Sequence, residues 1–313
     1  MNLHQFRFVD AAVRNGLNLT AAAKSLNTSQ PGVSKAIIEL ENELGIQIFV
    51  RHGKRIKRIT EPGQHVVAAI ATILSEVGNL RRIGAQYRAE DVGTLSIATT
   101  HSQARYVLPG PVAKLRERYP QVNISMHQGT PAQVAQMVTD EVADIGMATE
   151  ALTDFRGLVT LPCYEWEHVL IMPAEHPLAR HEAVTLEDIA ELPLVTYDPS
   201  FTGRRRVDSA FAQRGLTPQI ALEAIDSDVI KTYVRLGLGV GIVAEMAVDP
   251  EADPDLVVRP LGAFLGQNIA RIALKRDAYL RDFVYHFAEL LSSRLDKTLI
   301  QQAMSGEATD HGL

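Results

Sequence analysis

The sequence predicts an α/β protein in three parts: a small helical unit, a long helix, and a larger domain in which strands and helices alternate. Over the first sixty residues, apolar side chains recur at spacings of three and four, which indicates short amphipathic helices. A single apolar stripe then runs from Thr60 to Tyr87. From Gly93 onward, short apolar strands alternate with helices, a pattern typical of a largely parallel sheet. A chain of 313 residues is long enough for two or three separate cores.

Charge is distributed unevenly along the chain. The net charge is -6, but residues 1–60 hold nine Lys or Arg against four Asp or Glu, which gives +5 there and -11 in the remainder. An acidic chain can therefore have a basic N-terminal part that binds nucleic acid. No apolar stretch has the length of a membrane-spanning helix, and the N-terminus, MNLHQFRFVD, lacks the apolar run of a signal peptide. We expect a cytoplasmic protein with no membrane association.

Three short helices are predicted in residues 1–60. The first lies between Leu3 and Val13. Thr20 is predicted to cap the second, and Ser29 the third, which Gly45 ends. The tight connection between the second and third helices is typical of a helix-turn-helix, whose second helix enters the major groove of DNA.

A basic hairpin is predicted after the third helix, in the string FVRHGKRIKRIT with Gly53 at its tip. Positive charge on its strands and tip would face phosphate, as in a wing. A three-helix packing unit with a solvated basic loop is the alternative. The residues expected to contact DNA are Thr28, Ser29, Gln30, Ser34, Lys35, Arg51, Lys54 and Arg55.

Residues 61–87 are predicted to form one long linker helix. Its apolar positions follow an alternating spacing of four and three: Val66, Ile70, Ile73, Val77, Leu80 and Tyr87, with Gly84 in one slot. This spacing is typical of a dimeric coiled coil, but a helix packed inside its own chain can show the same stripe.

The domain from residue 93 to 313 is predicted to have two lobes, one about 93–163 and 267–293, the other about 164–266. Ligands of open α/β sheets bind beyond the carboxyl ends of the strands, near helix N-termini. The residues that follow the predicted strands there are rich in hydroxyl groups, and Thr100, Ser102, Gln103, Thr149 and Thr202 are candidates to donate hydrogen bonds to an oxyanion. Each hydroxyl could instead be a simple helix cap.

Catalytic chemistry is not indicated. His101 beside Ser102 lacks a nucleophile-elbow motif, and Gly237, Gly239 and Gly241 lie between a helix and a strand, the reverse of a dinucleotide fingerprint. Cys163, the single cysteine, is interpreted as a packed small residue. We expect no catalytic residue, no metal and no cofactor.

The string LTAAAKSLNTSQPGVSKAIIELENELGIQIFVR resembles the N-terminal signature of LysR-type transcriptional regulators, with the AAxxL, SQPxVS, IxxLExxLG and FxR elements in the family's order. The resemblance implies a winged helix-turn-helix, a dimerising linker helix and a two-lobed effector domain like type 2 periplasmic binding proteins. It also implies a homodimer through the linker helix, a homotetramer on promoter DNA, and contact with RNA polymerase. Two winged domains on one two-fold axis would read a pseudo-palindrome.

Further strings, among them IATTHSQARYVLPG, MHQGTP, FTGR and DVIKTYVRLGLGVGIVAEMAVDP, resemble the branch of this family that activates sulfur assimilation and cysteine biosynthesis. The resemblance implies N-acetylserine or O-acetylserine as inducer and a sulfate-type anion between the lobes. Thr100, Ser102, Gln103, Thr149 and Thr202 would contact the ligand, with Trp166 nearby; Trp166 could also be simple core.

This chain departs from the branch's pattern at Ser102, where we associate the branch with threonine, and in the loop Asp198, Pro199 and Ser200. Serine keeps the hydroxyl group, so the departure bears mainly on the choice of inducer. The alternatives are a related regulator of sulfonate utilisation and, further away, a non-regulatory anion-binding protein or an enzyme.

Overall fold

The protein is described from a computed structural model that covers residues 1–53, 55–87 and 92–306, without the side chains of Glu150 and Thr202. Its chain divides into two compact units, Met1–Arg88 and Ala89–Leu313. Each unit is described by itself.

The N-terminal unit contains four helices and one hairpin. These elements are α1 (Leu3–Arg14), α2 (Leu19–Ser25), α3 (Gln30–Leu44), β1 (Phe49–His52), β2 (Arg55–Ile59) and α4 (Glu61–Tyr87). The two strands pair antiparallel, with His52 opposite Arg55. This arrangement is the predicted winged helix-turn-helix followed by the long helix.

Local hydrogen bonds set the helix ends of this unit. Ser29 caps α3 through a 3.3 Å bond from Gly32 N to its Oγ, and Gly45 ends α3 with a φ of 69°, both as predicted. The prediction that Thr20 caps α2 is wrong. Asn18 caps that helix, because its side-chain oxygen accepts hydrogen bonds from the backbone N–H groups of Thr20 and Ala21. An Asn side chain caps as well as a hydroxyl does, so the helix starts earlier.

The start of α4 belongs to the core of the N-terminal unit. Thr60 caps the helix at Gly63 N (2.9 Å), and a Cβ at Gly63 would lie 2.1 Å from the backbone oxygen of Ile48, so the close approach to β1 requires glycine there. Ile70 is buried in the same core, with Val66 packed against it. The first part of the predicted seam is therefore intramolecular.

Later seam positions differ from the first ones. Ile73 is 39% exposed and Leu80 68% exposed. These are the positions at which a second copy of the helix could pack. The spacing alone did not separate the two parts of the seam.

The C-terminal unit contains two mixed five-stranded sheets. Its strands are β3 (Gly93–Thr99), β4 (Val122–Gln128), β5 (Ile145–Ala148), β6 (Leu158–Trp166), β7 (His168–Pro173), β8 (Pro193–Tyr197), β9 (Gln219–Ala224), β10 (Val240–Ala244), β11 (Leu256–Pro260) and β12 (Asn268–Lys275). Its helices are α5 (Pro109–Arg118), α6 (Pro131–Thr139), α7 (Leu186–Ala190), α8 (Thr202–Gln213), α9 (Ser227–Arg235), α10 (Gly262–Leu265), α11 (Asp282–Leu291) and α12 (Lys297–Ser305). The strand orders are β4-β3-β5-β12-β6 in lobe I and β11-β7-β10-β8-β9 in lobe II.

The prediction of a largely parallel sheet is wrong, because half of the neighbouring strand pairs are antiparallel. The chain enters lobe II through β7, which runs antiparallel to β10 and β11. It returns to lobe I through β12, which runs antiparallel to β5 and β6. The remaining pairs, β3 with β4 and β5 and β8 with β9 and β10, are parallel.

The lobe boundaries also shift from the predicted ones. The boundary expected at 163/164 falls inside β6, and the crossover lies at Glu167. Lobe I extends past the expected limit at 293, because Leu295, Ile300 and Ala303 are buried in its core. The segment after these lobe limits forms α12, and the residues after 306 lie outside the described ones. Among the described residues, no helix has both the length and the hydropathy needed to cross a membrane.

Candidate functional site

The N-terminus of α3 presents the residues expected to read DNA. Thr28, Ser29 and Lys35 are exposed, and Gln30 and Ser34 are half-buried on the same helix start. Lys35 forms a long, solvent-exposed pair with Glu39 at 3.8 Å, and such a pair lets its ammonium exchange partners. The arrangement matches a recognition helix whose first turn faces base edges. Contact with DNA stays a prediction.

A groove joins this helix start to the hairpin. Its volume is about 480 Å³, and its lining includes Thr20, Gln30 and Arg55. The structure therefore brings two of the predicted contacts, Gln30 and Arg55, to one concave surface. Lys54, a further predicted contact, lies outside the described residues.

The guanidinium of Arg51, a basic residue of the hairpin, is already engaged within the unit. Nη2 lies 3.3 Å from Glu41 Oε2, and Nη1 lies 3.4 Å from Ser34 Oγ. Glu41 is buried, and its Oε1 accepts hydrogen bonds from the backbone N–H groups of Ile48 (2.8 Å) and Phe49 (3.0 Å). The geometry indicates that Arg51 ties the hairpin to α3 and orients Ser34.

In the C-terminal unit, a small cleft between the two lobes gathers most of the predicted ligand residues. The cleft is about 40 Å³, and it is lined by Thr100, Ser102, Gln103, Pro131, Thr149, Trp166, His168, Tyr197, Phe201, Gly203, Ile225, Ala244 and Met246. Five predicted residues, Thr100, Ser102, Gln103, Thr149 and Trp166, thus converge. Thr202 begins α8 beside the cleft, but its side chain lies outside the described ones.

Among the side chains that the structure describes, none of those lining the cleft is Lys, Arg, Asp or Glu. The lining comes from strand ends, as expected: Thr100 follows β3, Thr149 follows β5, and Ala244 ends β10. Gln103 is 2% exposed, and its Oε1 accepts a hydrogen bond from Tyr164 OH. It begins a π-helical turn that the bond from Leu108 N to Gln103 O (3.0 Å) closes.

Two hydrogen-bonded chains connect the lobes beside the cleft, and together they form what we term the interlobe bridge. Ser102 Oγ of lobe I lies 3.3 Å from Ser227 Oγ of lobe II, which lies 2.7 Å from Tyr197 OH. Tyr106 OH of lobe I donates to Asp228 Oδ1 of lobe II at 2.6 Å. Burial alone would raise the pKa of Asp228, but the hydrogen bond from Tyr106 and the charge of Lys231 lower it. The carboxylate therefore stays ionised and holds the bridge.

His168 is a polar lining residue that the sequence did not single out. It is fully buried at the start of β7, and its ring centroid lies 4.8 Å from that of Trp166. Burial, together with the nearby charge of Arg206, lowers the pKa of His168 from 6.5 to about 4, so the ring is neutral at physiological pH. In the sequence, His168 opens the apolar run HVLIMP and resembles an ordinary core position.

A larger cleft elsewhere in this unit is a weaker candidate site. It measures about 530 Å³, is wide open, and is lined among others by Thr153, Arg205 and Ser209. A ligand there would keep most of its hydration, whereas the small cleft would remove a ligand from water and strengthen each hydrogen bond. The small cleft is therefore the better effector site.

Two other features of the C-terminal unit, a cluster of one histidine and two carboxylates and the single cysteine, are explained by the fold rather than by ligand binding. One ligand atom each from His101, Asp226 and Asp228 lie within 4.8 Å of one another, but Asp226 caps α9 at Val229 N and Asp228 belongs to the interlobe bridge. Cys163 is buried, and desolvation raises the pKa of its thiol to about 12, as fits a packed small residue.

Comparison with known proteins agrees with this architecture. Residues 3–64 match the model of the bacterial regulatory helix-turn-helix protein, lysR family, and residues 88–296 match the LysR substrate binding domain. The chain is 56% identical to the HTH-type transcriptional regulator CysB of Burkholderia cenocepacia, over all of both chains. It is 46% identical to SsuR of the same organism, covering 96% of this chain and 97% of SsuR. It is 44% identical to cbl of Escherichia coli, covering 94% of this chain and 93% of cbl.

Solved structures show the same fold. The cofactor-binding domain of the Cbl transcriptional regulator superposes with a TM-score of 0.65 at 42% identity, covering 69% of this chain and 95% of that one. Full-length CbnR in complex with its target DNA shares the fold at 20% identity and a TM-score of 0.57, covering 94% of this chain and all of CbnR. These relatives are transcriptional regulators, not enzymes. With a helix-turn-helix at its N-terminus and a two-lobed sensor after it, the chain belongs to the LysR family of transcriptional regulators.

Proposed function

We propose that this regulator activates genes of sulfur assimilation and cysteine biosynthesis in response to N-acetylserine or O-acetylserine and a sulfate-type anion bound between its lobes. The observation that carries the proposal is the interlobe cleft, where hydroxyl and amide groups converge and the described lining residues include no charged side chain. The similarity to CysB over the whole chain supports the same assignment.

The chemistry of the cleft favours a small oxyanion. Hydroxyl, amide and helix N-terminal groups can hold an anion without a buried countercharge, because their partial charges are fixed in place. A buried lysine or arginine would have to be desolvated first, at a cost of several kcal/mol. Neutral donors avoid that cost.

The size of the cleft separates the two proposed effectors. A volume of about 40 Å³ accommodates roughly three water molecules, which is comparable to one sulfate ion. An acetylserine has twice as many heavy atoms as sulfate, so we infer that it binds better when the lobes are farther apart. The interlobe bridge opposes that separation through the Ser102–Ser227 and Tyr106–Asp228 contacts.

This difference gives a mechanism for regulation. A ligand shifts a conformational equilibrium only if it binds the two states with different affinities. The sulfate-type anion would favour the bridged lobes and the acetylserine the separated lobes. In a homotetramer, formed through the linker helices and the sensor domains, the lobe arrangement would change how two dimers bend promoter DNA and how they meet RNA polymerase.

A regulator of sulfonate utilisation is the second candidate. The similarity to SsuR and to cbl favours it, and the Cbl domain superposes on the sensor domain. The two candidates differ in the ligand and in the promoter, since both require the same fold and the same neutral cleft.

Calorimetry with the full-length protein distinguishes the candidates. We expect heat of binding from N-acetylserine or O-acetylserine and from sulfate, with each ligand weakening the other. Thiosulfate and adenylyl sulfate serve as comparison ligands. Binding of adenylyl sulfate without any response to an acetylserine would favour the sulfonate regulator and contradict the proposal.

Gel shifts and footprints test the DNA-binding part of the proposal. The protein should protect promoters of sulfate-uptake and cysteine genes, and a saturating acetylserine should change the footprint or the bend angle. Arg55→Ala should weaken binding and lower the log-log salt slope by about one, as the loss of one phosphate contact does. Arg180→Ala, an exposed arginine of the sensor domain, is the matched control and should leave the slope unchanged.

Thr100→Ala tests the cleft. The variant should lose most of its response to ligand while its DNA affinity stays at the wild-type level, because the substitution lies in the C-terminal unit. An unaltered ligand affinity in Thr100→Ala would contradict the proposed position of the effector.

A further inference from the structure

We propose that Trp166 and His168 are a pair of neutral N–H donors that bind the anionic group of the effector, and that Asn268 holds His168 in the tautomer that makes this possible. The inference rests on the proposed function, since it names two donors and one positioning residue within the same cleft.

The first step is that both rings offer an N–H without a partner. Trp166 is 6% exposed and His168 fully buried. Within the described part of the chain, Trp166 Nε1 and His168 Nε2 have no hydrogen-bond partner, although both residues line the cleft. Buried polar groups are nearly always paired, and an unpaired one destabilises the fold unless a bound group satisfies it. Two such groups facing one cleft indicate a ligand with acceptor atoms.

The second step is the protonation of His168. Asn268 Nδ2 lies 3.2 Å from His168 Nδ1 and 3.4 Å from the backbone oxygen of Trp166. A backbone oxygen can only accept, which identifies the Asn268 atom between them as the NH₂ group. That group also donates to His168 Nδ1, so the proton of the neutral ring is on Nε2. The atom without a partner is therefore a donor.

The third step is the position of this donor. A Cβ at Gly203 would lie 2.6 Å from His168 Nε2, so the imidazole reaches the first turn of α8 only because residue 203 is glycine. The N-cap residue Phe201 provides no side-chain cap to this twelve-residue helix. An anion there would meet the His168 N–H and the positive end of the helix together.

Selectivity follows from the chemistry of the two donors. An indole N–H and an imidazole N–H locked by Asn268 can donate but cannot accept, and the described side chains that line the cleft include no carboxylate. The site therefore fits the bare oxygens of sulfate, sulfonate or carboxylate. Every phosphate ion carries at least one proton near neutral pH, and this proton would lack an acceptor at the pair.

The test is calorimetry of the full-length protein with sulfate, phosphate and N-acetylserine at pH 7.5. His168→Leu and Trp166→Phe should each weaken sulfate binding by about tenfold to a hundredfold, the usual range for a hydrogen bond to a charged group. His168→Gln, which keeps an N–H near the Nε2 position, should retain affinity within about threefold. Phosphate should bind wild type at least about tenfold more weakly than sulfate.

Thr196→Val is the matched control. The Thr196 hydroxyl is also fully buried and, among the described residues, has no hydrogen-bond partner, but it is not part of the cleft lining. Its removal should leave the affinity for sulfate unchanged. Intrinsic fluorescence of Trp166 and unfolding curves confirm that the His168 and Thr196 variants fold.

A double-mutant cycle tests the positioning role of Asn268. Asn268→Leu should weaken sulfate binding in wild type, but it should have little further effect in His168→Gln, which has no tautomer to fix. Equal losses in both backgrounds would show a merely structural role and overturn the tautomer argument.

The outcomes separate the inference from the proposed function. Sulfate binding that is unchanged in His168→Leu and Trp166→Phe overturns the inference and leaves the effector assignment standing. Absence of any anion binding by wild type overturns both, while the assignment to the LysR family stands.

Discussion

The stability of the C-terminal unit is expected to fall as the pH drops from 7.5 to 5, and replacing His168 with glutamine should remove a defined part of that fall. Burial, with the charge of Arg206, lowers the pKa of His168 from 6.5 to about 4 in the folded protein. In the unfolded chain the imidazole titrates near its ordinary value. Between these two values the unfolded chain binds a proton that the folded domain does not, so acid favours unfolding.

The two pKa values of His168 give the magnitude. At pH 7.5 the ring is neutral in both states and contributes almost nothing to the pH dependence. At pH 5 the unfolded state is stabilised by about 2 kcal/mol relative to the folded state, and the full effect, about 3 kcal/mol, is reached only below pH 4. The change is a large fraction of a typical domain stability.

Urea unfolding of the full-length protein measures this change. Trp166 is the only tryptophan in the chain, so its fluorescence reports on the C-terminal unit alone. The buffer must contain no sulfate or carboxylate, because a bound anion would raise the pKa of His168. Piperazine–Tris chloride meets this requirement.

The comparison of variants isolates His168 from other titrating groups. Wild type should lose about 2 kcal/mol more than His168→Gln between pH 7.5 and pH 5. Thr196→Val, which changes a buried polar group that does not titrate, should shift stability equally at both pH values. An equal pH dependence in wild type and His168→Gln would refute the reasoning, since it would mean that folding does not perturb the imidazole.

Three further outcomes are expected. Tyr106→Phe removes the 2.6 Å bond of the interlobe bridge and should strengthen acetylserine binding a few-fold in calorimetry, whereas Tyr233→Phe, a partly exposed tyrosine on α9, should not. Glu41→Gln should destabilise the N-terminal unit by about 1–2 kcal/mol in thermal unfolding, because it weakens buried hydrogen bonds and an ion pair. The exposed control Glu39→Gln should change stability by less than about 0.5 kcal/mol. Cys163 should react with a thiol reagent only as the domain unfolds, and rapid reaction of the native protein would contradict its burial.

Helix ends were predictable where one local hydrogen bond decides them. Ser29 and Gly45 bound α3 as expected, because a hydroxyl cap and a left-handed glycine act within a few residues. The choice of Thr20 as a cap was wrong because Asn18, two residues earlier, caps equally well. The sequence alone does not show which of two nearby cap residues begins the helix.

Sheet direction was less predictable, because it depends on where the chain changes lobes. Only Glu167 separates β6 from β7, and no helix marks the crossover. The alternating pattern looked like repeated βαβ units, and it hid the two strands, β7 and β12, that run against their neighbours. The burial of Ile70 in the N-terminal core was unpredictable for a similar reason. A coiled-coil seam and a stripe packed inside the same chain show the same residue spacing.

The hydroxyl part of the cleft was visible in the sequence, because strand ends converge in an α/β sheet and Thr100, Ser102 and Thr149 follow strands. The imidazole was not visible. His168 lies in an apolar run, and only its distance to Asn268 and its unpaired Nε2 show that it is a donor. A useful signal would have been the polar pair at the two crossovers, since Asn268 opens β12 as His168 opens β7.

Under the proposed function, the two units bind anions by opposite means, and the charge distribution explains why. The basic N-terminal part, at +5 over residues 1–60, meets a polyanion in water, where mobile Lys and Arg side chains release counterions and affinity depends on salt. The remainder, at -11, would repel an anion at long range, and a buried cation in its cleft would carry a desolvation penalty. Fixed N–H and O–H dipoles act only within hydrogen-bond distance and need no counterion. A neutral, donor-rich cleft is therefore the arrangement by which an acidic domain can recognise a small anion while leaving DNA to the other unit.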